Sequence, residues 1–364
     1  MTKIDYLVVG AGFFGSTFAR IMTDKGKKCL VIDKREHIGG NCYTEKKFDI
    51  DVHKYGPHIF HTNNEDVWNF VNQFSDFNRY THTCKANYKH KLYSVPINLN
   101  TLNQLWGVVS PQMAKELIEE KRLNTSDPSN LEDWILSQVG EEIYRLLIKG
   151  YTEKQWGRPP RELPASIIKR LPIRFTYNDN YFDDLYQGIP IDGYTYLFEN
   201  MLDGIDLELG VDYISNRNYY DKIAKKVVYT GPIDEFFSNM YGSLEWRSLR
   251  FEQRVFNVDN YQGTSIVNYT HRDIPYTRIV EHKHFTNIKC GVTVISKEYP
   301  QEYKKGREKY YPILNKKNLE LYAKYKEKID KNKYIFGGRL AEYRYYDMHQ
   351  VIGSALKKAY EQND

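Results

Sequence analysis

The chain lacks the features that would place it in a membrane or give it a metal or dithiol centre. No apolar run approaches the roughly 20 residues that a membrane-spanning helix needs, and Asp5 interrupts the apolar N-terminus at once. The four cysteines lie far apart and form no CxxC pair: Cys29, Cys42, Cys84 and Cys290. We therefore expect a soluble cytoplasmic protein without structural zinc or another metal site.

An excess of charge of one sign is also missing. Lys and Arg number 52 against 47 Asp and Glu, and the formal net charge of +5 is spread along the 364 residues. This balance argues against a dedicated nucleic-acid-binding protein. The length predicts two or three substructures that share a large buried core.

Tyrosine, in contrast, is abundant, with 32 residues against 17 phenylalanines. A phenol can stack on a ring and also donate a hydrogen bond to a hydroxyl or a phosphate. Composition leaves two explanations open: a ligand that selects phenols, or a genome rich in A and T, since Lys and Ile are abundant too. The positions of the tyrosines have to decide between them.

The first motif is an apolar strand that ends in a glycine-rich turn. The run YLVV predicts a buried strand, and Gly10, Gly12 and Gly15 have the GxGxxG spacing that leads into a helix in dinucleotide-binding folds. Gly10 permits the tight turn, Gly12 lets the main chain approach a pyrophosphate, and Gly15 brings the helix close to the strand. Phe14, inside the turn, joins these glycines as a candidate cofactor-binding residue.

A second apolar run, CLVI, ends in Asp33, 18 residues after Gly15. A carboxylate at this distance accepts hydrogen bonds from ribose hydroxyls in Rossmann-type folds. The basic, glycine-rich stretch KREHIGGNCYT follows, with Lys34, Arg35 and Gly40 as candidate cofactor contacts, and it favours FAD over NAD. The alternative is a strand, turn and helix of this kind without a ligand.

The stretch YGPHIFHT contains His58 and His61, three residues apart. On a strand this spacing puts the two side chains on opposite faces, so a shared metal ion is not expected. A hydrogen-bonding histidine near the flavin is the interpretation for one of them. For His58 a purely structural role is an equal alternative.

The remaining patterns predict an α/β protein. Residues 100–149 have helical periodicity, with Ser110 as N-cap and Pro111 at the first helical position of one helix. Residues 175–194 and 247–311 contain short β-branched and aromatic runs that predict an antiparallel sheet. The C-terminal stretch KYIFGGRLAEYRYYDMHQVIGSALKKAY predicts a strand, a Gly-Gly turn and a closing helix, so the chain returns to its first domain.

A second glycine-rich turn for a nicotinamide is missing, which argues against an ordinary reductase but not against an oxidase. Arginines and tyrosines instead cluster in several strings. Arg170 precedes a proline, Arg278 lies in a predicted strand, and Tyr151 and Trp156 lie near a helix end. Because the guanidinium fork donates two parallel hydrogen bonds, arginine suits a diphosphate, although any one of these could make a surface salt bridge instead.

Several strings together resemble the bacterial UDP-galactopyranose mutases over nearly the whole chain, from Tyr6 to about Leu356. They are YGPHIFHT, LIKGYTEKQWG, IIKRLPIRF, NYFDDLYQGIP, PYTRIVEHKHF and GGRLAEYRYYDMHQV. The resemblance implies an FAD enzyme, active with reduced flavin, that interconverts UDP-galactopyranose and UDP-galactofuranose without net redox through a covalent bond between flavin N5 and the sugar.

The resemblance also implies roles for particular residues. The catalytic candidates are Arg170, Arg278 and His61, the two arginines stabilising the departing diphosphate. The substrate-binding candidates are Tyr151, Thr152, Trp156, Tyr181, Arg247, Asn268, Tyr310 and Tyr345. To the cofactor residues above, the resemblance adds Asn41, His58, His61, Arg339, Tyr345, Asp347 and Met348. The segment around Arg170 is expected to form a lid that closes over the substrate.

The expected architecture is a discontinuous Rossmann-type FAD-binding domain with a helical domain and an antiparallel β-sheet domain. The expected limits are 1–66, 191–240 and 313–364 for the first, 95–167 for the second, and 67–94, 168–190 and 241–312 for the third. The expected partners are a UDP-sugar and an external reductant, and we expect a homodimer. His82 replaces an asparagine of several relatives, so N-acetylgalactosamine stays open as the sugar. An FAD oxidase and a non-catalytic nucleotide-sugar-binding protein are the competing hypotheses.

Overall fold

The computed structural model of the chain describes residues 4–124, 128–169 and 171–362. Its strands are β1 Ile4–Val9, β2 Cys29–Ile32, β3 Thr44–Lys47, β4 Ile50–His53, β5 Phe60–Thr62, β6 Cys84–Tyr88, β7 Lys91–Val95, β8 Tyr186–Gly188, β9 Asp206–Glu208, β10 Ala224–Tyr229, β11 Trp246–Phe256, β12 Ile266–Tyr269, β13 Arg278–Glu281, β14 Thr293–Glu302, β15 Tyr311–Pro312 and β16 Tyr334–Phe336.

The α-helices are α1 Phe13–Asp24, α2 Glu65–Val71, α3 Leu99–Trp106, α4 Pro111–Lys121, α5 Leu131–Ile143, α6 Gly150–Trp156, α7 Gly193–Leu202, α8 Tyr213–Ile223, α9 Ile233–Phe236, α10 Lys316–Glu327, α11 Gly338–Ala341 and α12 Met348–Tyr360. A π-helical turn, Tyr144–Lys149, joins α5 to α6. Among the described residues, no helix is long and apolar enough to cross a bilayer.

A parallel sheet in the order β16-β10-β1-β2-β9 confirms the Rossmann-type fold. The buried strands β1 and β2 pair in parallel and are joined by α1. One face of α1 is apolar and packs in a cluster with α7 and α12, where the Phe13 and Phe198 ring centroids lie 4.6 Å apart. This packing holds the glycine-rich turn at the carboxyl end of β1, where ligands bind in such sheets.

The second sheet has the order β15-β11-β14-β13-β12-β6-β7. Its neighbouring strands are antiparallel with one exception, since β12 and β6 run parallel. The predicted antiparallel sheet is therefore mixed.

The predicted helices of residues 100–149 are confirmed, and Ser110 caps α4 by accepting the Met113 N–H at 3.3 Å. The expectation that residues 175–194 contain short strands is confirmed only for β8. The segment is tied to the start of α3 by isolated bonds: Leu99 N–H donates to the Thr176 carbonyl at 3.0 Å, and the Asn98 amide donates to Asp179 at 2.7 Å. Because this segment bonds to the start of α3, it forms no continuous ladder of backbone hydrogen bonds with a neighbouring strand.

The parallel sheet takes its strands from residues 4–32, 206–229 and 334–336, and the seven-stranded sheet from residues 84–95 and 246–312. The helices α3 to α6 lie between these segments in sequence and contribute to a cluster with buried residues of β6, β7, β12 and β13. The finer domain limits given above stay a prediction.

Candidate active site

The glycine-rich turn has the local geometry of a dinucleotide site. Gly10 has a positive φ of 111°, and its N–H donates to the Ile32 carbonyl at 2.8 Å. A Cβ at Gly15 would lie 1.9 Å from the Gly10 carbonyl oxygen, so only glycine allows α1 to start this close to β1. The N-cap of α1, Gly12, has no capping side chain, which leaves the first-turn N–H groups to an anion.

Asp33 is held beside this turn by two backbone amides. Its carboxylate accepts the Ala11 N–H at 2.8 Å and the Arg35 N–H at 2.9 Å, and only 9% of the residue is exposed. Each carboxylate oxygen keeps further acceptor capacity, which suits ribose hydroxyls. Gly40 packs against Gly12, since a Cβ at Gly40 would lie 3.2 Å from the Gly12 Cα. The residues present therefore fit the pyrophosphate and a ribose of a dinucleotide.

Arg35, two residues after Asp33, contacts residues outside the glycine-rich turn. Its guanidinium donates to Asn41 Oδ1 at 3.0 Å and to Glu308 at 2.8 Å, and it lies 4.4 Å from the Tyr55 ring centroid. Burial opposes this charge, but Glu308 raises the pKa of Arg35. Lys34 is exposed. Asn41 thus contacts Arg35, and it also lines a cavity.

That cavity, of about 430 Å³, lies between the nucleotide turn and the seven-stranded sheet. It brings together most of the predicted substrate residues and several predicted cofactor residues. The predicted residues on its wall are Asn41, His58, His61, Tyr151, Tyr181, Asn268, Arg278, Tyr310, Arg339, Tyr345, Asp347 and Met348.

Arg278, at the start of β13, is held by a carboxylate that no motif in the sequence predicts. Its Nε donates to Glu298 Oε2 at 2.8 Å, and Glu298 on β14 is fully buried. Burial disfavours the guanidinium charge, but Glu298 and the Tyr151 phenol raise the pKa of Arg278 well above its usual value. Because Nε is occupied by Glu298, the two terminal nitrogens of the fork remain to meet a ligand.

Arg339 follows the Gly-Gly turn after β16. It donates to the carbonyl oxygens of Tyr310, at 3.3 Å, and Tyr346, at 2.8 Å. Its guanidinium carbon also lies 5.8 Å from the Tyr345 ring centroid, and that ring stacks on Tyr311 with 5.4 Å between centroids. Phenols therefore surround a positively charged wall of the cavity.

Two histidines of the cavity, His58 and His82, have lowered pKa values. Burial and the charges of Arg339 and Arg278 lower the pKa of His58 to about 4, and its Nδ1–H donates to the Gly56 carbonyl at 2.8 Å. Burial, Arg278 and His61 lower the pKa of His82 to about 3. Both rings can therefore accept hydrogen bonds at neutral pH.

His61, on β5, has a different environment. Its Nδ1 lies 2.5 Å from the Asp184 carboxylate, and its ring stacks on Phe182 with 3.7 Å between centroids and an interplanar angle of 10°. Both partners come from the segment before β8. The string NYFDDLYQGIP contains both partners, but no periodicity could pair Asp184 with a residue 123 positions away.

The helix α6 is fastened to the loop between β12 and β13 by Lys154. Its ammonium nitrogen, which carries three N–H donors, lies 2.6–3.0 Å from four carbonyl oxygens, those of Tyr269, His271, Ile274 and Tyr276. Burial lowers the pKa of Lys154 to about 8. The strands joined by this loop carry Asn268 and Arg278, which are cross-strand partners. Lys154 therefore holds the Tyr151 helix against the sheet side of the cavity.

Among the described residues, three predicted substrate residues lie in the cavity's support instead of on its wall. Thr152 and Trp156 are buried within α6, and the Trp156 ring centroid is 6.2 Å from that of Tyr311. Arg247 donates to the Gln155 carbonyl at 2.9 Å, so it caps the end of α6. Arg170 lies outside the described residues, and its predicted role stays a prediction.

The Rossmann-type sheet, the glycine-rich turn and the Arg- and Tyr-lined cavity define a dinucleotide-cofactor enzyme with an anion site beside the cofactor. Comparison with known proteins agrees with this class. Residues 8–74 match the family model described as an NAD(P)-binding Rossmann-like domain, and residues 146–345, more than half of the chain, match the model described as UDP-galactopyranose mutase.

Curated relatives cover almost the entire chain. A dTDP-fucopyranose mutase of Escherichia coli is 43% identical over 99% of this chain and 98% of its own length. A probable UDP-galactopyranose mutase of Klebsiella pneumoniae is 43% identical over 99% and 95%, respectively. A crystal structure of a reduced UDP-galactopyranose mutase matches the fold with a TM-score of 0.74 at 13% identity, covering 99% of this chain and 93% of that one. The chain belongs to the UDP-galactopyranose mutase family of flavin-dependent isomerases.

Proposed function

We propose that the protein interconverts UDP-galactopyranose and UDP-galactofuranose without net redox, with FAD as the cofactor in its reduced form. The observation that carries the proposal is the continuity of the two half-sites. Asn41 is bonded to Arg35 of the nucleotide turn and also lines the cavity that contains Arg278. A dinucleotide cofactor held by the turn would therefore extend toward the cavity in which we propose that the nucleotide diphosphate binds.

The reduced flavin would supply N5 as a nucleophile toward the anomeric carbon, in a covalent flavin–sugar adduct. The protein's part is to hold the leaving group and exclude water. The free fork of Arg278 suits a diphosphate, and we assign the same role to Arg170. The phenols of Tyr181, Tyr310 and Tyr345 are proposed as phosphate contacts, since phenols donate hydrogen bonds from a partly apolar wall.

The uridine end is proposed at Tyr151 and Asn268. Both line the cavity, and Asn268 Oδ1 is a buried acceptor that has no hydrogen-bond partner among the described residues. An unpaired buried acceptor costs about 1–3 kcal/mol, so a ligand N–H or O–H that reaches it regains that free energy. Thr152 and Trp156 then support this end through α6, and Arg247 supports it by capping the same helix.

The test is an isomerisation assay with chemically reduced protein and UDP-galactopyranose. The furanose isomer should accumulate over many turnovers while the reductant is not consumed in proportion, and oxidised protein should be inactive. Net electron transfer with each product molecule would refute the reaction class. Oxygen uptake with release of peroxide would favour an oxidase, and UDP binding without turnover would favour a non-catalytic binding protein.

The sugar nucleotide is a separate question, because the relative named dTDP-fucopyranose mutase is as identical to this chain as the one named for UDP-galactopyranose. A dTDP-6-deoxysugar is therefore a second candidate substrate, and UDP-N-acetylgalactosamine is a third, motivated by His82 on the cavity wall. Parallel assays with the three nucleotide sugars at equal concentration, compared by kcat/KM, decide among them. A larger kcat/KM for either alternative would displace UDP-galactopyranose.

The proposal includes two partners outside the chain. An external reductant must supply electrons to activate the flavin, and photoreduction or dithionite should replace it in vitro. The homodimer is proposed from the family resemblance, and the mass in solution measured by light scattering tests it against the 43.2 kDa of one chain.

A further inference from the structure

Two neighbouring side chains fix the orientation of the His61 ring. Its Nδ1 lies 2.5 Å from Asp184 Oδ2, and Phe182 stacks on the ring face at 3.7 Å. A carboxylate can only accept a hydrogen bond, so the imidazole proton lies on Nδ1. Nε2 then remains as the ring nitrogen available to a ligand, since His61 lines the cavity.

Asp184 is itself held in place from the other side. Its Oδ1 accepts a hydrogen bond from the Asn63 side-chain amide at 2.5 Å. The orientation of that amide is fixed, because Asn63 Oδ1 accepts the Leu185 backbone N–H at 2.8 Å. A backbone amide thus orients Asn63, Asn63 orients Asp184, and Asp184 orients His61.

We propose that Asp184 is a positioning residue that keeps the His61 proton on Nδ1, so that Nε2 meets the bound sugar as a proton acceptor. This inference rests on the proposed function. Contraction of the six-membered ring replaces the C1–O5 bond by a C1–O4 bond, so in each turnover one proton leaves O4 and one reaches O5. The imidazole accepts the first at Nε2 and, as imidazolium stabilised by Asp184, supplies the second, with no net gain or loss of protons.

The hydrogen-bond chain predicts the effect of Asp184→Asn. Because the Asn63 amide can only donate here, the introduced carboxamide must turn its oxygen toward Asn63 and its NH2 toward His61 Nδ1. The imidazole proton is then forced onto Nε2, so the ring presents a donor to the cavity in place of an acceptor. The substitution changes the shape of the site little and inverts its hydrogen-bonding character.

The experiment is NMR of protein labelled with ¹⁵N-histidine, which contains 10 histidines, with His61→Gln to assign the signal. At a pH where the imidazole is neutral, wild-type protein should show protonated Nδ1 and bare Nε2, and Asp184→Asn should show the reverse. The kcat of Asp184→Asn should fall by roughly 10²- to 10⁴-fold, the range for positioned proton transfer, at unchanged flavin content and UDP affinity. Asp76→Asn, the same change at an exposed carboxylate, should match wild type.

A wild-type spectrum with the proton on Nε2 would overturn the inference, whether or not the variant folds. So would an inverted tautomer with wild-type kcat. His349, His82 and Asp347 are the other titratable groups near the ring, so they also contribute to the pH profile of kcat. Failure of the proposed function is distinguishable, because wild-type protein would then lack isomerase activity while the tautomer measurement still stands.

Discussion

Replacing Arg278 by alanine should separate two roles of one side chain. The first role is structural, since Arg278 Nε pairs with the fully buried Glu298 at 2.8 Å. Removing one partner of a buried ion pair costs about 3–5 kcal/mol, because the other charge stays desolvated. We expect the free energy of unfolding in urea to fall by about this amount.

The second role, which we propose, is binding of the diphosphate. Each charge-assisted hydrogen bond contributes about 1.5–3 kcal/mol, so loss of one should weaken UDP binding by roughly 10- to 150-fold. Adding Glu298→Gln to Arg278→Ala removes the stranded charge. The double variant should therefore regain much of the lost stability and none of the lost UDP affinity.

Urea unfolding and calorimetric titration with UDP measure the two effects on the same samples. Arg250→Ala is the matched control, an exposed arginine on β11 of the same sheet whose loss should alter neither quantity greatly. An Arg278→Ala protein that binds UDP as tightly as wild type would refute the leaving-group role. A double variant no more stable than the single one would refute the buried-charge explanation.

Three further changes test other parts of the site. Lys154→Met should lower the free energy of unfolding by about 2–3 kcal/mol, the scale of one or two charge-assisted hydrogen bonds. It should also weaken UDP binding, while the flavin is retained. Urea unfolding, titration with UDP and flavin absorbance measure these three effects. Gly15→Ala should cost about 1–3 kcal/mol by overpacking against the Gly10 carbonyl and release flavin on dialysis, although alanine is the better helix former. His82→Gln should flatten the pH dependence of the free energy of unfolding. Because the pKa of His82 is lowered to about 3 in the folded protein, wild-type protein should lose up to about 1.4 kcal/mol of stability per pH unit as the pH falls from about 6.5 toward that pKa. Unfolding measured across that pH range checks this.

The nucleotide half of the site was predictable because its determinants are local. The strand, turn and helix around Gly10 lie within one short stretch, and each glycine answers a steric demand from a nearby atom. The predicted end of β2 before Asp33 is confirmed for the same reason. In such a motif, sequence spacing translates directly into distance.

The substrate half depends on contacts between distant segments. Glu298 and Asp184 orient Arg278 and His61, respectively, yet neither pairing has a periodic signal in the sequence. The segment before β8 was expected to form strands from its composition. Asn98 instead binds Asp179, and such side-chain bonds to a helix start replace the ladder that β-propensity alone would predict.

The distribution of charge in the cavity suits both parts of the proposed substrate, a diphosphate and a sugar. Burial lowers the pKa of His58 to about 4 and of His82 to about 3, so these rings stay neutral and accept hydrogen bonds at physiological pH. The guanidinium groups of Arg278 and Arg339 stay charged, because arginine does not lose its proton in proteins. Fixed positive charge therefore comes from arginine, and neutral acceptors come from histidine. A departing diphosphate requires the first, and hydroxyl groups that exchange protons require the second.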